Sequence, residues 1–262
     1  MFPDETLLSF KPDIVFIHTT NRNVTDWPEM TDTTEQIDEK LHTEINRFTA
    51  MWKSIAEKFH CPIIQNNFEM PLYRLLGSRD AWDIHGRTNF LTRLNEAFYA
   101  YARENESFYI HDLNFVSADY GLKEWSNPLF WNMYKYAMCF EAIPSFAFSV
   151  SHIIKSIFGK NKKALALDLD NTLWGGVVGD DGVDGIEIGQ ETGVSQSYYE
   201  FQTYVKQLKS LGIVLTVCSK NDHENAIAGL NHPEGALRPD DFVIIKANWE
   251  NKTATLPRPP QS

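Results

Sequence analysis

The stretch ALALDLDNTLW, from Ala164 to Trp174, contains a short apolar run followed at once by a polar turn. Only Asp168 interrupts the run from Ala164 to Leu169, which is typical of a strand buried in a sheet. Asp168 and Asp170 are two positions apart, so both side chains project to the same side of such a strand. Two carboxylates this close repel each other and favour a cation, and Mg²⁺ prefers oxygen ligands. One carboxylate can then act as a nucleophile while the other transfers a proton.

The residues that follow repeat a strand and helix pattern. Apolar residues at spacings of three and four predict a helix that begins near Ser195 as N-cap and ends at Gly212. Residues 213–218 predict a second buried strand, and Asp222 is a candidate N-cap for a short helix. Residues 242–245 predict a third strand, so this half of the chain has three strands joined by helices.

The first half of the chain alternates in the same way. Strands are predicted at residues 13–17, 61–64 and 108–110, and helices at 37–59, 90–101 and 146–157. Thr31, Asp32 and Thr33 are capping candidates for the first helix. Alternating strands and helices indicate parallel sheets covered by helices. The predicted fold class is therefore α/β, with two Rossmann-like three-layer α/β/α domains, divided at the basic run that follows Gly159 into residues 1–159 and 160–262.

Composition and charge exclude several classes of protein. The chain has 262 residues, 43% of them hydrophobic, which suits globular domains and excludes intrinsic disorder. Its net charge of −11 and pI near 5.2 argue against binding to nucleic acid or to anionic membranes. No stretch is apolar enough for a membrane span, and three scattered cysteines do not form a disulfide framework. We expect a cytoplasmic protein.

Three segments together resemble a known family. DLDNTLWGG, from Asp168, is similar to the DxDxT motif of the haloacid dehalogenase (HAD) superfamily. The longer run 168–189, with residues 217–222 and 248–252, resembles the subfamily IIIC or FkbH-like proteins. The resemblance spans about residues 163–252 and implies a HAD-like fold for the second half of the chain.

The resemblance implies roles for individual residues. Asp168 would be the nucleophile that forms an aspartyl-phosphate, and Asp170 would protonate the leaving group and then activate water. Both aspartates would hold Mg²⁺. Thr172, Ser219 and Lys252 would bind the phosphoryl group. The glycine-rich segment after Trp174 resembles the flap hairpin that shields such sites.

Structural roles compete with these assignments. Asp168 and Asp170 suit an N-cap or turn, Ser219 and Asp222 suit a turn and a helix cap, and Lys252 suits the surface. Trp174 either lines a substrate pocket or packs in the core.

One departure from the family pattern concerns the metal. HAD enzymes complete the magnesium site with an acidic fourth motif, whereas the ten residues after Lys252 contain no aspartate or glutamate. We therefore expect a fragment that lacks the last strands of the fold, or a natural truncation with a weak or absent metal site.

The first half has a fainter resemblance. Residues 12–23, PDIVFIHTTNRN, resemble the SGNH-hydrolase-like domain that precedes the HAD domain in FkbH-like proteins. The serine nucleophile of such a domain is not identified, so the domain is expected to be incomplete at its start. Asn21 or Asn23 suits an oxyanion role but fits a turn better, and His18, His111 and His152 suit packing or surface roles.

The function implied by the resemblance is magnesium-dependent phosphoryl chemistry. FkbH-like proteins couple dephosphorylation to loading a glyceryl-type three-carbon unit onto an acyl carrier protein in polyketide or polysaccharide biosynthesis. The implied partners are a phosphorylated small molecule and an acyl carrier protein. Two alternatives are open: a small-molecule phosphatase, and a catalytically inactive partner-binding module.

Overall fold

The computed structural model describes residues 9–249, and the chain divides after Gly159 into two compact units. Gly159 has a φ of 66°, a left-handed conformation that glycine adopts at little cost and that ends the preceding helix. We call the parts on either side of this boundary the N-terminal unit and the C-terminal unit.

The N-terminal unit contains a parallel sheet in the order β1-β2-β3. Its strands are β1 (Val15–Ile17), β2 (Ile63–Asn66) and β3 (Phe108–His111). Its helices are α1 (Thr34–Phe59), α2 (Arg87–Glu104), α3 (Leu113–Tyr120), α4 (Leu122–Trp125), α5 (Pro128–Tyr134) and α6 (Ile143–Ile157).

Helices cover both faces of this sheet. Thr33 caps α1 in a capping box with Gln36, as the sequence suggested for this threonine. Phe48 on α1 packs with Phe98 on α2 in the core on one face, which also includes Ile63. On the opposite face, the ring of Phe146 on α6 lies 5.9 Å from that of Phe16. A sheet buried on both faces explains why its strands are short apolar runs.

The C-terminal unit contains a second parallel sheet, in the order β4-β5-β6. Its strands are β4 (Ala164–Leu167), β5 (Val214–Ser219) and β6 (Ile244–Ala247). Its helices are α7 (Val178–Asp181), α8 (Gly193–Ser210) and α9 (His223–Leu230). The predicted α/β fold class with parallel sheets is confirmed.

One face of this second sheet forms the core. Leu167 and Val217 pack there with Val205 of α8 and Leu230 of α9. Parallel strands joined by right-handed crossovers place successive helices on the same face. The other face is exposed in the described part of the chain; its outward residues are Ala164, Ala166, Val214 and Ile244.

The helix ends of the C-terminal unit differ in part from the prediction. Ser195 is not the N-cap of α8, because the helix begins at Gly193 and the Thr192 hydroxyl accepts a hydrogen bond from the Ser195 backbone N–H at 3.0 Å. Gly212 has the predicted left-handed conformation, with a φ of 87°. Asp222 occupies the N-cap position of α9 without capping it through its side chain.

Among residues 9–249, no helix has the length and apolar character that crossing a bilayer demands. All three cysteines are free thiols, as expected from their spacing.

Candidate active site

Alternation of apolar and polar residues shapes the loop after β4. Leu169 and Leu173 are fully buried and anchor the loop in the core, while Asp168 and Asp170, on either side of Leu169, remain partly exposed. The backbone N–H of Leu173 donates to the carbonyl of Leu169 at 2.8 Å and closes a tight turn. Asn171 sits in this turn with a φ of 52°, which asparagine tolerates better than most residues. The two aspartates therefore lie on a rigid turn at the carboxyl end of β4.

Three N–H groups hold the carboxylate of Asp170. Oδ1 accepts from the indole Nε1 of Trp174 at 2.9 Å and from the backbone N–H of Val178 at 3.1 Å. Oδ2 accepts from the side-chain amide of Asn221 at 2.9 Å. These donors come from three different segments of the unit, so the tertiary fold fixes the orientation of this carboxylate.

Asp168 and Ser219 lie at the same edge of the sheet. Leu167 pairs with Val217, so β4 and β5 end side by side. The backbone N–H of Leu169 donates to Oδ1 of Asp168 at 2.9 Å. Ser219 is the last residue of β5 and is buried. The carboxyl edge of a parallel sheet is where α/β proteins bind ligands, and the structure brings these predicted residues to it.

Of the other two predicted phosphate-binding residues, one lies within the described part of the chain and one lies outside it. Thr172 lies in the turn after Asp170 and is half-buried. Lys252 lies outside the described residues.

The segment after Trp174 folds back on itself through one antiparallel bridge, and we call residues 175–187 the hairpin; its identity as the family's flap stays a prediction. Gly175 and Glu187 exchange two backbone hydrogen bonds of 3.0 and 2.8 Å and close its base. Within the hairpin, Oδ2 of Asp181 accepts from the backbone N–H of Val177 at 2.8 Å and stabilises the turn that leads into α7. Because the backbone N–H of Val178 donates to Asp170, this segment contacts the loop after β4 directly.

Trp174 packs in the core. Its side chain is fully buried, and its ring fills the space above Gly229 on α9. Of the two roles open for Trp174, packing is therefore the one that the structure supports, and its indole N–H is used for Asp170.

The donor atoms at this edge suit magnesium. Both carboxylate oxygens of Asp170 already accept hydrogen bonds, so its backbone carbonyl and the carboxylate of Asp168 are the atoms best placed as ligands. Both are oxygen donors, which Mg²⁺ prefers. In the described part of the chain, no three His, Cys, Asp or Glu side chains converge as a metal cluster. A bound ion would take its remaining ligands from water or substrate.

Two residues that support this site were missed by the sequence analysis. Asn221 lies two residues after Ser219, within the segment 217–222 that carries the resemblance, and the sequence suggested no role for it. Gln202 on α8 is buried; its Nε2 donates to the carbonyl of Leu173 at 2.8 Å, and its Oε1 accepts from the backbone N–H groups of Ala236 and Leu237 at 2.9 and 3.0 Å. A single glutamine within an amphipathic helix carries no sequence signal for this role.

Polar side chains also meet at the carboxyl edge of the N-terminal sheet. Oδ1 of Asn66 accepts from the backbone N–H of Thr19 at 2.8 Å and lies 3.2 Å from Nδ1 of His18. His111 is fully buried against Phe146, and its two ring nitrogens have no hydrogen-bond partner among the described residues. Burial lowers the pKa of His111 to about 4, so the ring is neutral and serves packing.

Asn21 and Asn23 lie in a short turn after β1. Oδ1 of Asn23 accepts from the backbone N–H of Thr20 at 2.8 Å, which fits the turn interpretation. The amide of Asn21 donates to Oε1 of Glu69 at 3.1 Å. Glu69 is buried, and loss of hydration raises its pKa to about 8.

His152 lies on the exposed side of α6, with Nδ1 2.8 Å from the carbonyl of Phe148.

The N-terminal unit also contains an open groove of about 1210 Å³ beside β3. Tyr109, Phe115, Tyr120, Phe148 and His152 are among the residues that line it. Most of its lining is apolar, and it holds no converging carboxylates of the kind found after β4.

Comparisons with known proteins identify one similar structure. No protein-family model matches the chain, and no curated protein sequence matches it. The chain is similar to the crystal structure of the N-terminal part of the protein BF1531 from Bacteroides fragilis, which contains a phosphatase domain and is complexed with Mg. The two share 30% sequence identity with a TM-score of 0.84.

The match covers 95% of this chain, which spans 65% of the length of the matched chain. This likeness supports the HAD-like α/β fold. The FkbH-like subfamily and the SGNH-like domain stay predictions.

Proposed function

We propose that this protein is a magnesium-dependent phosphatase whose active site is the loop after β4. The observation that carries the proposal is the pair Asp168 and Asp170 at the carboxyl edge of the sheet, with the second carboxylate held by three N–H donors. The similarity to a phosphatase domain solved with Mg supports the same reaction class.

The proposed reaction has two steps. In the first, a carboxylate oxygen of Asp168 attacks the phosphorus of a phosphate monoester, and the bond from phosphorus to the ester oxygen breaks. Asp170 gives its proton to the departing alkoxide, which leaves as an alcohol. In the second, Asp170 takes a proton from water while the water oxygen attacks phosphorus. The bond between phosphorus and the Asp168 oxygen breaks, which releases inorganic phosphate and regenerates the Asp168 carboxylate.

The other residues of the site stabilise charge. Ser219 and Thr172 would hydrogen-bond the phosphoryl oxygens and Lys252 would neutralise their charge, and all three roles rest on the resemblance. Asp168 and the backbone carbonyl of Asp170 would hold Mg²⁺, which when bound neutralises negative charge on the phosphoryl group.

The finer assignment rests on the resemblance to FkbH-like proteins. We propose that the substrate is a phosphorylated small molecule and that dephosphorylation serves to load a glyceryl-type unit onto an acyl carrier protein. The first 159 residues would then be an SGNH-hydrolase-like domain and the remainder a HAD-like domain. A simple small-molecule phosphatase and an inactive binding module are the competing assignments.

Hydrolysis of p-nitrophenyl phosphate by the full chain, with Mg²⁺ and with EDTA, tests the proposal. We expect turnover that depends on Mg²⁺ and that Asp168→Asn abolishes, because removal of an activated nucleophile costs orders of magnitude in rate. Asp240→Asn, at an exposed position of the same unit, is the matched control and keeps wild-type turnover. Wild-type turnover by Asp168→Asn would rule out the nucleophile assignment, and an inactive wild type would favour the binding module.

A further inference from the structure

Asn221 connects the loop after β5 to the loop after β4. Its side chain is buried, and its Oδ1 accepts from the backbone N–H of Asp222 at 2.9 Å. That bond fixes which end of the amide is oxygen, because a backbone N–H can only donate. Nδ2 must then face Asp170, where it donates to Oδ2 at 2.9 Å.

The other two donors act on the opposite oxygen. Trp174 and Val178 both bind Oδ1 of Asp170, so Asn221 is the residue that restrains Oδ2. A carboxylate held on both oxygens has one defined orientation, whereas one held on Oδ1 alone can rotate about its Cβ–Cγ bond. Displacement of a reacting group by about 1 Å can cost about a hundredfold in rate.

We propose that Asn221 is a positioning residue for the phosphatase reaction, acting through Asp170 rather than on the substrate. This inference rests on the proposed function, because it is the proton transfer by Asp170 that requires the orientation. Trp174 and the hairpin residue Val178 complete the support, so that the core, the hairpin and the loop after β5 together hold one carboxylate.

Asn221→Asp is the most informative variant. It keeps the size of the side chain and the oxygen that binds the Asp222 N–H, and it replaces the donor that faces Asp170 with an acceptor. Two carboxylates at hydrogen-bond distance repel each other, so Asp170 turns away from its position. With p-nitrophenyl phosphate and Mg²⁺, we expect kcat to fall about 10- to 100-fold while KM changes less than about twofold.

A double-mutant cycle separates positioning from general structural damage. In an Asp170→Asn background the proton-transfer group is already absent, so adding Asn221→Asp should not lower kcat further. The amide introduced at position 170 can donate to the carboxylate introduced at position 221. Thermal unfolding should therefore show a lowered Tm for Asn221→Asp and a recovered Tm for the double variant.

Two controls complete the experiment. Asn231→Asp makes the same chemical change at the exposed C-cap of α9 and should leave kcat at the wild-type value, with only a small decrease in Tm because a carboxylate is unfavourable at the C-terminal end of a helix. Asn221→Ala removes the donor without adding charge and should reproduce the loss in kcat, so a folding failure of Asn221→Asp does not end the test. Circular dichroism verifies that each variant is folded.

The outcomes of the two proposals are distinguishable. If the wild type shows no magnesium-dependent turnover, the proposed function fails and the positioning role fails with it. If the wild type is active, the positioning role alone is overturned by either of two results: kcat of Asn221→Asp within about twofold of wild type, or an equal loss in the Asp170→Asn background.

Discussion

Gly229 lies directly beneath the indole ring of Trp174. A Cβ at position 229 would lie 2.8 Å from Cη2 and 2.9 Å from Cζ2 of the buried ring, closer than carbon atoms approach in proteins. The glycine on α9 therefore makes room for the tryptophan that donates to Asp170 at 2.9 Å. The packing of the core and the orientation of Asp170, the proposed acid, therefore both depend on the contact between Gly229 and the Trp174 ring.

Gly229→Ala should destabilise the protein by about 1–3 kcal/mol, because a well-packed core resists added volume. Equilibrium denaturation measures this change. Gly193→Ala is the control, since a Cβ at the start of α8 meets no atom within 4 Å and should leave stability unchanged or slightly raised. Equal stability of Gly229→Ala and wild type would show that the ring of Trp174 moves freely.

Gln202→Ala should cost about 2–4 kcal/mol, since it removes three hydrogen bonds and leaves buried backbone groups without partners. Denaturant unfolding of this variant can be compared with Gln207→Ala, an exposed position on the same helix. A loss below about 1 kcal/mol, similar to that of the control, would contradict the bridging role.

Stability should fall as pH rises because of Glu69. Its pKa is raised from 4.5 to about 8, so between these values the folded state holds a proton that the unfolded state has lost. The unfolding free energy then decreases with pH by at most about 1.4 kcal/mol per unit. The nearby Arg22 acts in the opposite direction by favouring the carboxylate.

The clearest window for this effect lies above pH 6.5. Burial lowers the pKa of His111 from 6.5 to about 4. Between about pH 4 and 6.5, His111 therefore makes the unfolding free energy rise with pH, which offsets the decrease caused by Glu69. Between about 6.5 and 8, Glu69→Gln should reduce the decline, to which His85 also contributes because its hydrogen bond with Asp83 raises its pKa, whereas Glu57→Gln, an exposed change on α1, should leave the decline unchanged. Parallel pH profiles for wild type and Glu69→Gln would refute the prediction.

Magnesium should bind this chain weakly. The described residues offer the Asp168 carboxylate and the Asp170 carbonyl, and a fully hydrated ion gives up water reluctantly. Titration calorimetry should show affinity weaker than micromolar, reduced further by Asp168→Asn. Micromolar binding would instead indicate an additional carboxylate, for which Asp180, Asp181 and Asp222 are the candidates.

Local sequence pattern predicted the fold class, which the structure confirms, and the place of the candidate site. The runs that became β4 and β5 are apolar, as is typical of strands in a parallel sheet, although one face of this sheet is exposed in the described part of the chain. Asp168 and Asp170 follow β4 directly. Thr33 and Gly212 marked helix ends because capping and left-handed conformations depend on single residues. The predicted N-cap at Ser195 was wrong because Thr192, three residues earlier, offers a hydroxyl that caps the helix instead.

Only the tertiary structure determined how the proposed acid is held. The donors to Asp170 are Trp174, Val178 and Asn221, the last of them 51 positions away along the chain. Local pattern reports which residues share a strand or a helix face, and it carries no information about which distant N–H group will meet a given oxygen. That pairing arises when β4 and β5 align in register and the hairpin folds back, because buried polar groups must find partners within the fold.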